Sequence, residues 1–390
     1  MDRSSAPLRL AALAMGALVL RPQLIGIGPL MPAVRDELGL SYAQAGLLST
    51  IPLLCMGIFA LFTPAAVATL GAGRTAGAAL ALIVVAGATR AGSPDSAWLL
   101  LLTVVVGIGL GVAGAAFPVL VKSWLADRAA LATGIYTTAI QVGATASVYL
   151  AVPVATALGG WRGAMGAFAA AGAVSFAGWW LLAERTPRPV RDPDSRRLPP
   201  LAVRDPVAWL LAAIFALTAI PYYGLAAWLP AAYVERGWDP AAAGALFASF
   251  GLSGLPASLL VSVAADRWGS RQRWMVMASA LVAVSITGLI VAPWLALGWA
   301  LLGGAFLAML FTLGLVLPLD VSPDPAKVGP VVGLMMFVGY LLMAGMPALL
   351  GAVRDLTGSF TTSLWLVVGT AVLLVGASLL ASPARLARAR

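Results

Sequence analysis

Apolar runs of about 20 residues or more, recurring along nearly the whole chain, are the length a helix needs to cross a hydrocarbon core of ~30 Å. In that core every backbone N–H and C=O must find a partner within the protein, which leaves helices or closed barrels. A barrel would read as short strands of alternating polarity, and these runs are long and continuous. Of the 390 residues, 61% are hydrophobic and 10% are charged, against about 25% charged in soluble domains. The sequence therefore predicts an all-α membrane protein. Twelve helices are expected, over 8–34, 43–70, 74–91, 97–122, 129–156 and 161–183, then 206–234, 240–265, 273–292, 294–319, 328–353 and 360–382. Between the two sets lies ERTPRPVRDPDSRRLPPLAVRD (184–205), rich in Pro, Arg and Asp, which reads as a linker. The expected organisation is a six-helix bundle over 1–183, a cytoplasmic linker over 184–205 and a second six-helix bundle over 206–390.

The two sets are related to each other. A shift of 198 residues lays PAVRDELGLSYAQAGLL (32–48) over PAAYVERGWDPAAAGAL (230–246), so that Glu37 meets Glu235 and Gly39 meets Gly237. The same shift brings Gly71 onto Gly269 and Gly160 onto Gly358. Because each half has an even number of helices, both enter the membrane from the same side. The repeat is parallel, a pseudo-twofold pair of bundles.

Charge fixes the expected orientation. Of the 24 Lys and Arg residues, Arg35, Arg90, Arg162, Arg236 and Arg354 fall outside and Arg21 within the bilayer if the N-terminus is inside, leaving 18 cytoplasmic. This satisfies the positive-inside rule with both termini cytoplasmic. It also accounts for the formal charge of +9 without a nucleic-acid partner. The apolar run from Leu10 continues to Val34 without a cleavage site, so no signal peptide is read. There is no histidine, and the single cysteine, Cys55, reads as a small buried hydrophobe. All 15 acidic residues fall at helix ends or in loops. No metal site, cofactor or catalytic dyad is expected.

Arg21 is the exception. It lies about 16 Å along the helix from Leu10, deep in LVLRPQLIGIGPLMP (18–32). Placing a guanidinium there costs at least ~2.5–3.5 kcal/mol, and arginine cannot shed its proton. Its planar fork of donors suits a small planar or carboxylate anion. Pro22 follows, removing one helix hydrogen bond and predicting a kink. The structural alternative is an arginine tied to backbone carbonyls of the fifth or seventh helix.

The stretches LRPQLIGIGPLMPAVRDELGLS (20–41), VKSWLADRAALATGIY (121–136), AAWLPAAYVERGWDPAAAG (226–244) and VGYLLMAGMPALLGAVRDLTGSF (338–360) resemble the cyanate/nitroimidazole porter family of the major facilitator superfamily. The superfamily signature G-x-x-x-D-R-x-G is similar to SVAADRWG (262–269), with Asp266, Arg267 and Gly269 in place; the first-half equivalent, PAAVATLG (64–71), has Ala68 where the Asp should stand. The resemblance implies the superfamily fold and transport of small anions such as cyanate, or of small polar heterocycles. It also implies that helices 1, 4, 7 and 10 line a central cavity. Tyr222 or Tyr223 would then face Arg21, though adjacent residues point about 100° apart and only one of the two is expected to do so. Trp228, Tyr136, Gln141 and Tyr340 are further candidates for the substrate site. Gln141 and Thr145 share a face at i, i+4. Lys122 and Asp320 coincide under the 198-residue shift and are read as a cytoplasmic gating pair, with Asp266 and Arg267 as further gating residues.

The expected protein is a monomeric inner-membrane transporter that holds a small anion on Arg21 and works by alternating access, with lipid as its other partner. The alternative is an exporter of neutral or weakly basic heterocycles in which Arg21 is structural. A nitrate porter would call for a second buried arginine, and none is read in the sequence. A proton-coupled drug exporter would call for a titratable membrane residue. An intramembrane enzyme or a sensor would need a catalytic dyad or a soluble domain.

Overall fold

Long apolar runs give long helices in the computed structural model, which describes residues 6–183, 201–267, 271–321 and 325–381. In chain order these are α1 (Ala6–Leu38, interrupted), α2 (Tyr42–Ala60), α3 (Ala72–Ala91), α4 (Ser96–Trp124), α5 (Ala129–Ala157) and α6 (Trp161–Ala183). The second set is α7 (Pro206–Glu235), α8 (Pro240–Arg267), α9 (Arg271–Val291), α10 (Ala296–Val321), α11 (Pro325–Thr357) and α12 (Phe360–Leu380). Among the described residues there are 12 helical spans long and apolar enough to cross a membrane, and no strand. Large apolar side chains such as Val85, Leu181 and Val372 remain exposed on outer faces, as lipid-facing residues do.

Two expected helices are divided. The second was expected to run unbroken over 43–70, but it stops at Ala60 and a short helix, Thr63–Leu70, resumes it. The cause is Pro64, which has no N–H to continue the ladder and sits instead in the first turn of the new segment. The first helix, expected to kink at Pro22, breaks into Ala6–Leu18, Pro22–Ile25, a 3₁₀ turn over Gly28–Leu30, and Met31–Leu38.

Caps close the helices where the sequence supplies them. Asp95 accepts from the Trp98 N–H at 2.9 Å, Asp205 from Val207 at 2.8 Å, and Ser359 from Thr361 at 3.1 Å. Gly39 (φ 63°) and Gly237 (φ 86°), equivalent under the repeat, both take the left-handed region that ends α1 and α7.

The chain divides into two compact units, Met1–Leu40 with Leu47–Leu198, and Ser41–Gly46 with Pro199–Arg390. In the first, α1 packs on α5 and α6, and α3 packs on α4 and α6. In the second, α7 packs on α11 and α12, and α9 packs on α10 and α12. The repeat in sequence is thus a repeat in helix pairing.

Each unit also carries an acidic bracket. Glu37 accepts from the Trp161 indole N–H at 2.6 Å and pairs with Arg162, whose other amino group reaches the Ser93 carbonyl at 2.9 Å. Glu235 pairs with Arg354 at 2.7 Å and accepts from the Phe360 N–H at 3.2 Å. In the second unit the Asp355 carboxylate also accepts from the N–H groups of Tyr42 and Ala43, at 3.0 and 2.9 Å.

Nearby, the buried Tyr233 hydroxyl donates to the Leu289 carbonyl at 2.9 Å, and Arg236 donates to the same oxygen at 2.7 Å. Because Arg236 keeps that oxygen satisfied, Tyr233→Phe is expected to cost only about 1 kcal/mol of stability, as read by denaturation of the purified protein.

Candidate functional site

The break in α1 follows from two prolines. Pro22 cannot donate to the Leu18 carbonyl and Pro29 cannot donate to that of Ile25. The chain passes Val19–Arg21 as a turn, with Val19 and Leu20 making short-range bonds to Gly16 and Ala17. Arg21 sits just ahead of the Pro22–Ile25 segment and its carbonyl accepts from both Leu24 and Ile25, at 3.0 and 2.9 Å. The side chain of Arg21 is half-buried, while every residue from Gln23 to Met31 is buried. The sequence's one mid-helix guanidinium therefore stands where backbone polar groups are released from the regular ladder.

Helix α5 packs against this region; a Cβ on Gly143 would lie 2.9 Å from the Leu18 carbonyl oxygen. On α5, Gln141 and Thr145 are both half-buried, and the Thr145 hydroxyl is sealed without a hydrogen-bond partner. Tyr136 is half-buried and its ring lies 5.7 Å from that of Phe117.

In the second unit Tyr222 and Tyr223 split as helical geometry requires. Tyr223 is buried, Tyr222 is half-buried, and their rings meet edge-on at 5.2 Å. Tyr222 also packs on Phe247 at 5.7 Å, and the half-buried Tyr340 packs on Phe215 at 6.0 Å. Trp228 has its one donor engaged: the indole N–H bonds the Pro347 carbonyl at 2.7 Å, and the residue is 1% exposed. That placement makes it a packing anchor between α7 and α11. Trp228→Phe should remove the hydrogen bond, leave part of the indole's space empty, and cost about 2–3 kcal/mol, measured as a lower denaturation midpoint.

Lys122 is exposed in the last turn of α4. The side chains of its expected partner Asp320 and of Asp266 and Arg267 lie outside the described residues.

The expectation that Arg21 is the lone buried ionisable group is corrected. Arg90, assigned to the external loops, is 0% exposed and donates from Nη1 to the Gln23 carbonyl at 3.0 Å. Its position two residues before Gly92 at the end of α3 reads as a loop charge, yet that end packs inside the first unit. Arg9 is buried as well, donating to the Trp124 carbonyl at 2.5 Å, where a cation meets the C-terminal end of α4. Gln23, two residues after Arg21, faces α3: a Cβ on Gly87 would lie 2.7 Å from its amide.

The geometry can be set beside known proteins. The profile of the Major Facilitator Superfamily matches residues 13–347. The Cyanate transport protein CynX of Escherichia coli (strain K12) is 30% identical over 90% of this chain and 91% of its own. The 2-nitroimidazole transporter of the same organism is 29% identical over 93% and 92%. Among solved structures, a bacterial homologue of the human lysosomal transporter Spinster superposes with a TM-score of 0.78 at 16% identity, covering 98% of this chain and 97% of that one. The D-xylose-proton symporter gives 0.73 at 16% identity, with 96% of each chain covered. A profile spanning most of the chain, relatives over nine-tenths of it and a fold shared with transporters agree: this is a multi-pass membrane transporter rather than an enzyme, and the chain belongs to the major facilitator superfamily.

Proposed function

We propose that this secondary transporter carries a small monovalent anion, such as a cyanate-, nitrate- or small-carboxylate-like species, across the inner membrane by alternating access. The observation that carries the reading is Arg21, a half-buried guanidinium at a proline break in the middle of an apolar span. A guanidinium grips a planar anion through two parallel N–H bonds, and loss of water from the anion strengthens that contact. Tyr222, half-buried on α7, is the aromatic residue proposed to close over it, with Gln141 and Thr145 of α5 and Tyr340 of α11 as polar neighbours. Lys122 and Asp320 are proposed to close the cytoplasmic side. The protein works as a monomer, since each chain holds both halves, and both termini lie in the cytoplasm. The relative named for cyanate supports the anion reading.

A second reading rests on the relative named for 2-nitroimidazole, a neutral heterocycle, for which Arg21 would be structural. A thermal-shift panel separates the two: cyanate, nitrate, nitrite, formate, short carboxylates and benzoate, with 2-nitroimidazole and a lipophilic cation. Ligand at ~100 times its dissociation constant adds about 2.7 kcal/mol. One anion should stabilise the wild type and not Arg21→Ala. Equal stabilisation of both proteins by the heterocycle would overturn the anion reading.

A further inference from the structure

The side chain of Arg90 ends in a fork that the protein leaves half used. Its Nη1 holds the Gln23 carbonyl at 3.0 Å, but Nε and Nη2, the two N–H groups that point together from one edge, are buried and meet no hydrogen-bond partner. Among the described residues no carboxylate pairs with it. Gln23 is 4% exposed, and both its amide oxygen and its amide nitrogen are buried without a partner. Gly87, one turn before Arg90, leaves the room that the Gln23 amide occupies. Ser93, three residues on, adds a buried hydroxyl in the same condition.

A guanidinium this deep remains charged, and a buried charge without a counter-charge is costly. The bundle itself does not call for the arrangement. Under the 198-residue shift Arg90 falls on Gly288, Gln23 on Pro221 and Gly87 on Ser285, and α9 carries no charge after Arg273. The second unit nevertheless pairs its helices as the first does. A donor-only edge of two parallel N–H groups selects an anion: two oxygens of a planar oxyanion, or one halide shared between both. The amide N–H₂ of Gln23 supplies further donors.

We propose that Arg90 and Gln23 bind a small monovalent anion inside the first unit, at a site separate from Arg21. Because Arg90 also holds the Gln23 carbonyl, the bound anion steadies the Pro22–Ile25 segment that begins beside Arg21. This inference goes beyond the transport reading and does not depend on it.

Bromide is the probe. In gluconate buffer at constant ionic strength, sodium bromide at about five times its dissociation constant should raise the melting temperature of the purified full-length protein by roughly 1–2 °C. The shift should persist in Arg21→Ala, vanish in Arg90→Met and need roughly tenfold more bromide in Gln23→Leu. Crystals grown in bromide should show an anomalous peak within hydrogen-bonding distance of Arg90 Nε, a readout that needs no variant should Arg90→Met fail to fold. A wild type indifferent to bromide, a shift that survives in Arg90→Met, or density at the fork without anomalous signal would overturn the proposal. Loss of the shift in Arg21→Ala with retention in Arg90→Met would overturn it too, while leaving the transport reading intact.

Discussion

If Arg21 holds the anion proposed as substrate, Arg21→Ala is expected to lower the apparent affinity for that anion by on the order of a hundredfold in proteoliposome uptake. Each hydrogen bond to a charged group is worth about 1.5–3 kcal/mol. Losing a two-bond grip therefore removes about 3 kcal/mol or more, and every 1.4 kcal/mol is tenfold. Arg21→Lys should fall between, because an ammonium keeps the charge but not the planar fork; about tenfold is expected. The graded series matters more than the alanine variant alone. If Arg21 served only to hold carbonyls around the α1 break, lysine and alanine would both lower stability, and the protein that survived would transport with unchanged affinity. Uptake and thermal stability measured on the same preparations separate those outcomes.

The second large effect concerns α10. An added Cβ on Gly304 would lie 2.4 Å from both the Cα and the carbonyl oxygen of Phe250 on α8, and 2.6 Å from the Ser253 hydroxyl. Backbone atoms on a packed helix cannot swing aside, so α8 and α10 must separate to admit a methyl group. Gly304→Ala should cost about 2–3 kcal/mol. Gly314 on the same helix has nothing within 4 Å of the corresponding position. There the same change should be neutral or stabilising by up to about 1 kcal/mol, through helix propensity alone. Equal midpoints for the two variants in a denaturation assay would mean that α8 and α10 do not meet as described.

Much of the architecture was legible because bilayer physics writes it into residue type. Charge-poor runs marked the helices, and the shared offset of Glu37 with Glu235 and Gly39 with Gly237 marked the repeat. The left-handed caps at both glycines bear out that alignment. Arg21 with Pro22 marked the break in α1, although its full extent depended on Pro29, which reads as an ordinary helix-end residue until its distance from Pro22 is considered. Tyr222 and Tyr223 could be separated in principle but not assigned, since the face each occupies is set by packing on Phe247 and the rest of the second unit. Arg90 was illegible for a sharper reason. A charge beside a helix-ending glycine looks the same whether it enters water or folds back against Gln23, and only the route of α1 past α3 decides. The indole of Trp228 likewise shows no sign in sequence that its N–H is committed to Pro347.

Glu37 and Glu235 mark where the two halves keep the same chemistry. The glutamate and the glycine that ends the helix two residues later stand at one register in both. The arginines that answer them do not: under the same shift Arg162 falls on Phe360 and Arg354 on Thr156. Arg21, Gln23 and Arg90 likewise fall on Ala219, Pro221 and Gly288. The halves are symmetric in frame and asymmetric in charge, so a change at any of these positions acts on one half alone.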